Sequence, residues 1–170
     1  MVALRRTPNR RTCIGDWIVT ITYQTETFDQ FFADADALIK DHWEEVATFP
    51  DIRKLHVGQE NYRNTEKQGG VLVVTLRIDG ALQGYIVSII GKNLHSVETT
   101  VAIQDAYYVA PQYRGYWEGL REMWETEARA RGASMATARQ KIADGKVVAP
   151  DALFLRAGYE KGEISWYKRL

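Results

Sequence analysis

The chain has 170 residues, enough for one domain with a real core, and its 45% hydrophobic and 26% charged content is ordinary for a soluble globular protein. Its 22 basic and 22 acidic residues cancel, so bulk charge points to neither a nucleic-acid nor a membrane partner. Cys13 stands alone, which excludes an internal disulfide and a cysteine metal cluster and suits a reducing cytoplasmic interior; no run approaches the roughly 18 apolar residues of a membrane span, and no apolar stretch suited to a secretory signal follows the start.

Arg5, Arg6, Arg10 and Arg11 load residues 1–15 with positive charge and no negative charge. This stretch reads as a flexible or loosely docked tail, or as an arm that grips a partner or a polyanion. Residues 16–25 are rich in β-branched and aromatic side chains and predict a first strand. Thr27 and Gln30 form a capping box, and behind it Phe28, Phe31, Phe32, Ala35, Leu38, Ile39, His42, Trp43 and Val46 keep helical spacing for about five turns. Residues 59–67 predict a short polar helix ended by Gly69 and Gly70. Residues 71–77 and 82–90 predict a hairpin around Asp79-Gly80, and 98–109 a further strand.

Residues 107–120 then join a strand end, a proline turn, a glycine-bearing loop and a long helix. A helix start offers free N–H groups and partial positive charge, so such a joint can hold an anion. Gly132 closes that helix, residues 134–138 form a short strand, and Pro150 opens a last helix reaching Ala157 with Gly158 as its cap. Residues 159–160 and 164–168 are expected to finish the chain as a strand pair. The order is β-α-(α)-β-β-β-α-β-α-β-β, with no repeat or second domain.

This order, with Val109-x-Pro111-x-x-Arg114-Gly115, resembles the Gcn5-related N-acetyltransferase (GNAT) superfamily over residues 16–170. The signature loop there reads Gln/Arg-x-x-Gly-x-Gly/Ala. Here Gln112 and Gly115 match, Trp117 takes the last position, and Gly119 matches a further glycine of many members. Arg156-Ala157-Gly158-Tyr159 resembles the family's ending of the last helix. His42-Trp43-Glu44, Gly84-Tyr85, Leu94-His95 and Tyr107-Tyr108 look most like small acetyltransferase-like proteins of tailed bacteriophages and some bacteria.

The resemblance implies an α/β (α+β) GNAT fold, a mixed sheet of about six to seven strands with about four helices on both faces, behind a basic tail at residues 1–15. It implies acetyl-CoA as co-substrate and an amine acceptor, by direct attack. Backbone groups near Tyr107 and Val109 would meet pantetheine. The amides of Arg114, Gly115, Tyr116, Trp117, Glu118 and Gly119 would face the pyrophosphate, and the Arg114 side chain could add charge-assisted contacts. Trp117 either packs inward or lids the cofactor.

For catalysis, Asp105 is the candidate base, since alternation puts 103, 105 and 107 on one face; the other reading is a solvated carboxylate. The family's acid position holds Phe154, which cannot donate a proton. Tyr107, Tyr108, Tyr159 and His95 could substitute, Tyr108 and His95 being taken forward with Asp105. His42 reads as a buried histidine or a substrate contact. No metal-ligand spacing is present. The alternative is a GNAT-fold protein without catalysis, a binding or structural subunit, perhaps of a phage particle or against a host factor. In either reading the protein works in the cytoplasm, of the host or in the virion if phage-encoded. No nucleic-acid partner is expected except through residues 5–11, and homo-oligomers are compatible with the sequence.

Overall fold

Thr27 starts the helical layer as expected. Its hydroxyl accepts the Gln30 N–H at 3.2 Å, and the Gln30 side chain accepts the Thr27 N–H at 2.9 Å. These observations come from a computed structural model, which describes residues 10–14, 17–140, 142–143, 146–147, 151–163, 165 and 167–169. The chain divides into two compact units, Met1–Arg139 and Gln140–Leu170.

In the first unit, the strands are β1 (Arg10–Ile14), β2 (Trp17–Glu26), β3 (Val71–Ile78), β4 (Ala81–Asn93), β5 (Ser96–Val109) and β6 (Met135–Thr137). Among the described residues these six form one sheet in chain order, the low end of the expected six to seven. Pairs from β1 to β5 are antiparallel and β5–β6 is parallel, so the sheet is mixed. β1 is an addition to the expected order. It runs from Arg10↔Ile21 to Ile14↔Trp17, so the last residues of the basic stretch lie in the sheet; residues 1–9 lie outside the described residues.

The helices are α1 (Phe28–Asp34), α2 (Asp36–Val46), α3 (Gln59–Lys67) and α4 (Trp117–Ala130), the last preceded by a 3-10 turn over Pro111–Tyr116. The single helix expected over residues 27–46 is two. At Ala35 (φ −90°, ψ −9°) the N–H bonds Phe32 O, a tighter reach than an α-helical bond. The apolar stripe passes through this joint because Ala35 and Leu38 both remain buried.

Phe28, Phe31, Ala35 and Leu38 pack on Val71, Val73, Tyr85, Val87 and Tyr108, with Tyr62 of α3 alongside. That is one face of the sheet. α4 covers the other, where Trp124 Nε1 donates to Ser88 Oγ at 2.8 Å. Cover on both faces explains why β3 and β4 are nearly continuous apolar runs. Asp79 (φ 49°) and Gly80 (φ 86°) both take the left-handed conformation that a two-residue Asp-Gly hairpin turn requires.

One buried polar group ties α1 to this hairpin. Arg77 Nε and Nη2 donate to the two carboxylate oxygens of Glu26 at 2.7 and 3.0 Å, while Nη1 donates to Asp34 (2.8 Å) and Gly80 O (2.9 Å). Thr75 and Gln24 also donate to Glu26. One guanidinium therefore ties the end of β2, just before α1, to the last residue of α1.

In the second unit, β7 (Ile142–Ala143) and β8 (Lys146–Val147) form an antiparallel pair that the sequence pattern did not announce, and α5 spans Asp151–Arg156. Pro150 lies outside the described residues. Gly158 (φ 83°) turns the chain so that the Tyr159 N–H returns to Phe154 O. The strand pair expected at 159–160 and 164–168 is absent among the described residues. Tyr159 instead lies edge-on to Phe154, with ring centroids 5.9 Å apart; Ile164 and Trp166 lie outside the described residues.

Candidate active site at the split of β5 and β6

β5 and β6 pair over Val101↔Met135, Ala102↔Ala136 and Ile103↔Thr137, and no further. From Gln104 to Val109 the β5 edge runs on without β6. The Ala110 N–H bonds Gln83 O across the β4 side. Backbone groups alternate sides along an antiparallel strand, so Val109 and Tyr107 turn their N–H and C=O away from β4, into the split. The Val109 carbonyl accepts Arg114 Nε there at 3.3 Å.

A bulge changes which side chains share a face. Val87 faces Ala106 and Ser88 faces Gln104, so Asp105 has no partner across the ladder. The plain alternation expected for 103, 105 and 107 fails here. Tyr107 lies on the α4 face, with its ring 5.0 Å from Trp117. Asp105 lies on the opposite face, where its carboxylate accepts the Tyr62 hydroxyl, and the Tyr62 ring stacks on Phe28 at 4.7 Å. Tyr108 is on this face too. The bulge thus removes Asp105 from Tyr107 and gives it to the side of Tyr108.

At the end of the split, Tyr116 caps α4 without any side-chain hydrogen bond, and Trp117 N–H returns to Arg114 O. Glu118 is exposed to solvent. Trp117 is 9% exposed and belongs to the core. The Arg114 guanidinium binds Glu45 of α2 and Val109 O, so its charge is already engaged.

The two loop glycines differ. A Cβ added at Gly119 would sit 2.4 Å from Tyr23 Cζ, and the Tyr23 hydroxyl donates to Tyr116 O at 3.1 Å. Gly119 is small because Tyr23 needs the room. A Cβ at Gly115 would meet nothing within 4 Å. Gly119→Ala is expected to lose about 1–3 kcal/mol to overpacking, partly offset by up to about 1 kcal/mol of helix propensity. Gly115→Ala should unfold within about 0.5 kcal/mol of wild type. Urea unfolding of both variants, and of Gly119→Ala with Tyr23→Ala to relieve the clash, checks this.

On the α2 face, His42 Nδ1 lies 2.7 Å from the Tyr85 hydroxyl, and the His42 ring stacks on Tyr108 at 5.2 Å. Burial pushes the Tyr85 hydroxyl far above its ordinary range, with nearby Tyr108 and Tyr62 adding to it. Burial likewise raises Tyr108, helped by Glu45 and Asp41, against the pull of Arg114. Tyr107 is pushed up to about 12 by burial, with the Arg114 charge opposing and Glu45 reinforcing. All three tyrosines stay protonated at neutral pH.

His95 does not join them. β4 and β5 continue to Asn93↔Ser96, so His95 sits exposed at the hairpin tip, about 30 Å along β5 from Asp105 at roughly 3.3 Å per residue. Sequence reasoning passed over Gln104, Tyr62 and Glu45. A lone amide inside an apolar strand was the available sign for Gln104; nothing local marked the other two. Among the described residues, no group of three His, Cys, Asp or Glu side chains could hold a metal ion, and no helix is long and apolar enough to cross a membrane.

No protein-family model matches the chain, and no curated protein matches it in sequence. Solved structures do match. An aminoglycoside acetyltransferase from an uncultured soil metagenomic sample superposes with a TM-score of 0.68 at 14% identity, covering 88% of this chain and 98% of its own. The chain has the GNAT fold. A ribosomal-protein-alanine N-acetyltransferase from Brucella melitensis biovar Abortus 2308 gives 0.60 at 15% identity, over 88% and 99%. AAC(6')-Iy, solved with the bisubstrate analogue CoA-S-monomethyl-acetylneamine, gives 0.57 at 11% identity, over 88% and 97%. The GNAT neighbours are N-acetyltransferases, and the split described above is a feature of this GNAT-fold sheet.

Proposed function

We propose that the protein is an acetyl-CoA-dependent N-acetyltransferase that moves an acetyl group to an amine by direct attack. The observation that carries this reading is the β5 edge left without β6, which leads through the 3-10 turn into the start of α4, where Tyr116 makes no side-chain cap. An extended amide arm can pair with the groups of Tyr107 and the Val109 N–H, and the amides at the start of α4, other than that of Trp117, suit a pyrophosphate. The GNAT neighbours, one of them bound to a CoA conjugate, support the same class.

In this reading the attacking amine gives its proton to Asp105, whose carboxylate is steadied by the Tyr62 hydroxyl. The tetrahedral centre formed at the thioester carbon then collapses, the C–S bond breaks, and the departing thiolate takes a proton from Tyr108. Tyr108 is placed for that role by sharing the face of Asp105, with the His42 ring stacked on its own. The bulge brings acid and base to one face, and Phe154 is not needed as the acid. The acyl-CoA domain of residues 16–170 is extended at its start by β1, which belongs to the sheet.

Calorimetric titration with acetyl-CoA, followed by thiol release with a panel of amines, tests the reading. Saturable binding and amine-dependent thiol release are expected; no binding at millimolar acetyl-CoA overturns it. One observation favours a second reading, a GNAT-fold binding subunit without catalysis: Phe154, lacking a hydroxyl, packs on Tyr159. Binding of acetyl-CoA without thiol release for any amine, together with unchanged turnover-free behaviour in Asp105→Asn, selects that reading.

A further inference from the structure

Continuation of the parallel ladder past Ile103↔Thr137 would bring the Arg139 N–H to a backbone carbonyl of β5. It goes instead to the side chain of Gln104, whose Oε1 accepts it at 3.0 Å. Because a backbone N–H can pair only with oxygen, this bond fixes the orientation of the amide. Gln104 is 1% exposed and faces Ser88 across the ladder. Its Nε2 is buried and has no hydrogen-bond partner among the described residues. Buried donors are almost always satisfied, and leaving one unmade costs about 1–3 kcal/mol. The one place in this strand where the cost is left standing is where the sheet opens.

We infer that Gln104 is the positioning residue of the split: its carboxamide wedges β5 from the segment after β6, and its Nε2 donates to a carbonyl oxygen of the acyl-CoA arm. One end of the amide holds the two strands at arm's length by replacing a ladder bond. The other end presents a dry donor to a ligand rich in amide and thioester carbonyls. Adenine, ribose and phosphates gain nothing from it, so the contribution is confined to the arm. This inference rests on the acyl-CoA reading above.

The test compares CoA with adenosine 3′,5′-bisphosphate, which lacks the arm, on full-length wild type, Gln104→Glu and Gln104→Met. The Glu variant can still accept the Arg139 N–H but has no Nε2 donor; the Met variant fills the same space with neither group. Both are expected to bind CoA at least tenfold more weakly and the bisphosphate within twofold of wild type. CoA binding within twofold of wild type in a folded variant overturns the inference, as does an equal loss for both ligands, which would mark a merely structural role. Should both variants fail to fold, the side-chain amide resonance of Gln104 in wild type decides: it shifts with CoA and not with the bisphosphate, and an unmoved resonance overturns the inference. Wild type that binds neither ligand sinks the acyl-CoA reading itself.

Discussion

Replacing Trp117 with glycine, which would restore the small residue of the GNAT loop pattern, is expected to destabilise the protein by about 4 kcal/mol and to bring no gain in CoA affinity. Truncating a buried tryptophan typically costs about 3–5 kcal/mol, and glycine in a helix adds up to about 1 kcal/mol relative to alanine. Trp117 meets the conditions for that cost, being buried at the first position of α4 with its ring against Tyr107. Without it, Tyr107 loses its neighbour on the α4 face, and the β5 edge that would meet the cofactor loses support. In a protein of this size the melting temperature should fall by roughly 10 °C. Trp117→Phe, keeping most of the contact, should lose far less. If Trp117→Gly instead keeps wild-type stability and binds CoA more tightly, the ring is a lid and not a wedge in the core.

Glu26→Ala is expected to cost about 3–5 kcal/mol, the range for removing one partner of a buried ion pair and stranding the other. The Glu26 side chain is 4% exposed and takes four donors, two from Arg77 and one each from Thr75 and Gln24. Asp34 would keep only one end of the guanidinium. Replacing Glu26 and Arg77 together by methionine should cost less than Glu26→Ala, because no charge is stranded. The pH dependence follows from the same geometry. Burial alone would raise the Glu26 carboxyl, but the hydrogen bonds from Arg77, Thr75 and Gln24 and the Arg77 charge outweigh it and hold the carboxyl below its ordinary value. A depressed folded-state pKa means the contribution is fully present above the unfolded value of about 4.5 and is lost as the pH falls through the lower folded value. Urea midpoints of wild type and Glu26→Ala should therefore converge as the pH is lowered from 6 towards 3, and a constant gap would show that the carboxylate is not what stabilises.

The parts of this protein that were readable in advance are those where local chemistry and tertiary demand coincide. Thr27 and Gln30 cap a helix in any context, and Asp79-Gly80 turns a hairpin wherever two apolar runs flank it. The break at Ala35 was not readable, because the buried stripe runs straight through it and only the hydrogen bond to Phe32 differs. Arg10 and Arg11 disguised β1, since charge at an edge strand looks like charge on a tail. The faces of β5 were misread for a similar reason. Tyr107 and Tyr108 are both apolar enough for either side, so no alternation betrays the bulge at Asp105. Gly119 matched a loop pattern, yet the group that explains it, Tyr23, comes from a strand nearly a hundred residues earlier. Tyr62 and Glu45 reach the site by the same kind of long-range meeting.

The split also carries a consequence for the order of assembly. β1 to β5 follow one another as antiparallel neighbours; β3–β4 and β4–β5 are hairpins, while β2 and β3 pair across the intervening α1, α2 and α3. β6 can dock only after the chain has passed through α4 and returned, because parallel partners need a crossover. Its ladder is three residues long, with the Gln104 amide and the Arg139 N–H adding one side-chain bond beyond it. The wall of the cleft opposite β5 is therefore the latest part of the sheet to form and the first to fray. A chain can hold its meander intact while this wall frays, so the short β6 ladder is the least costly part of the sheet to open.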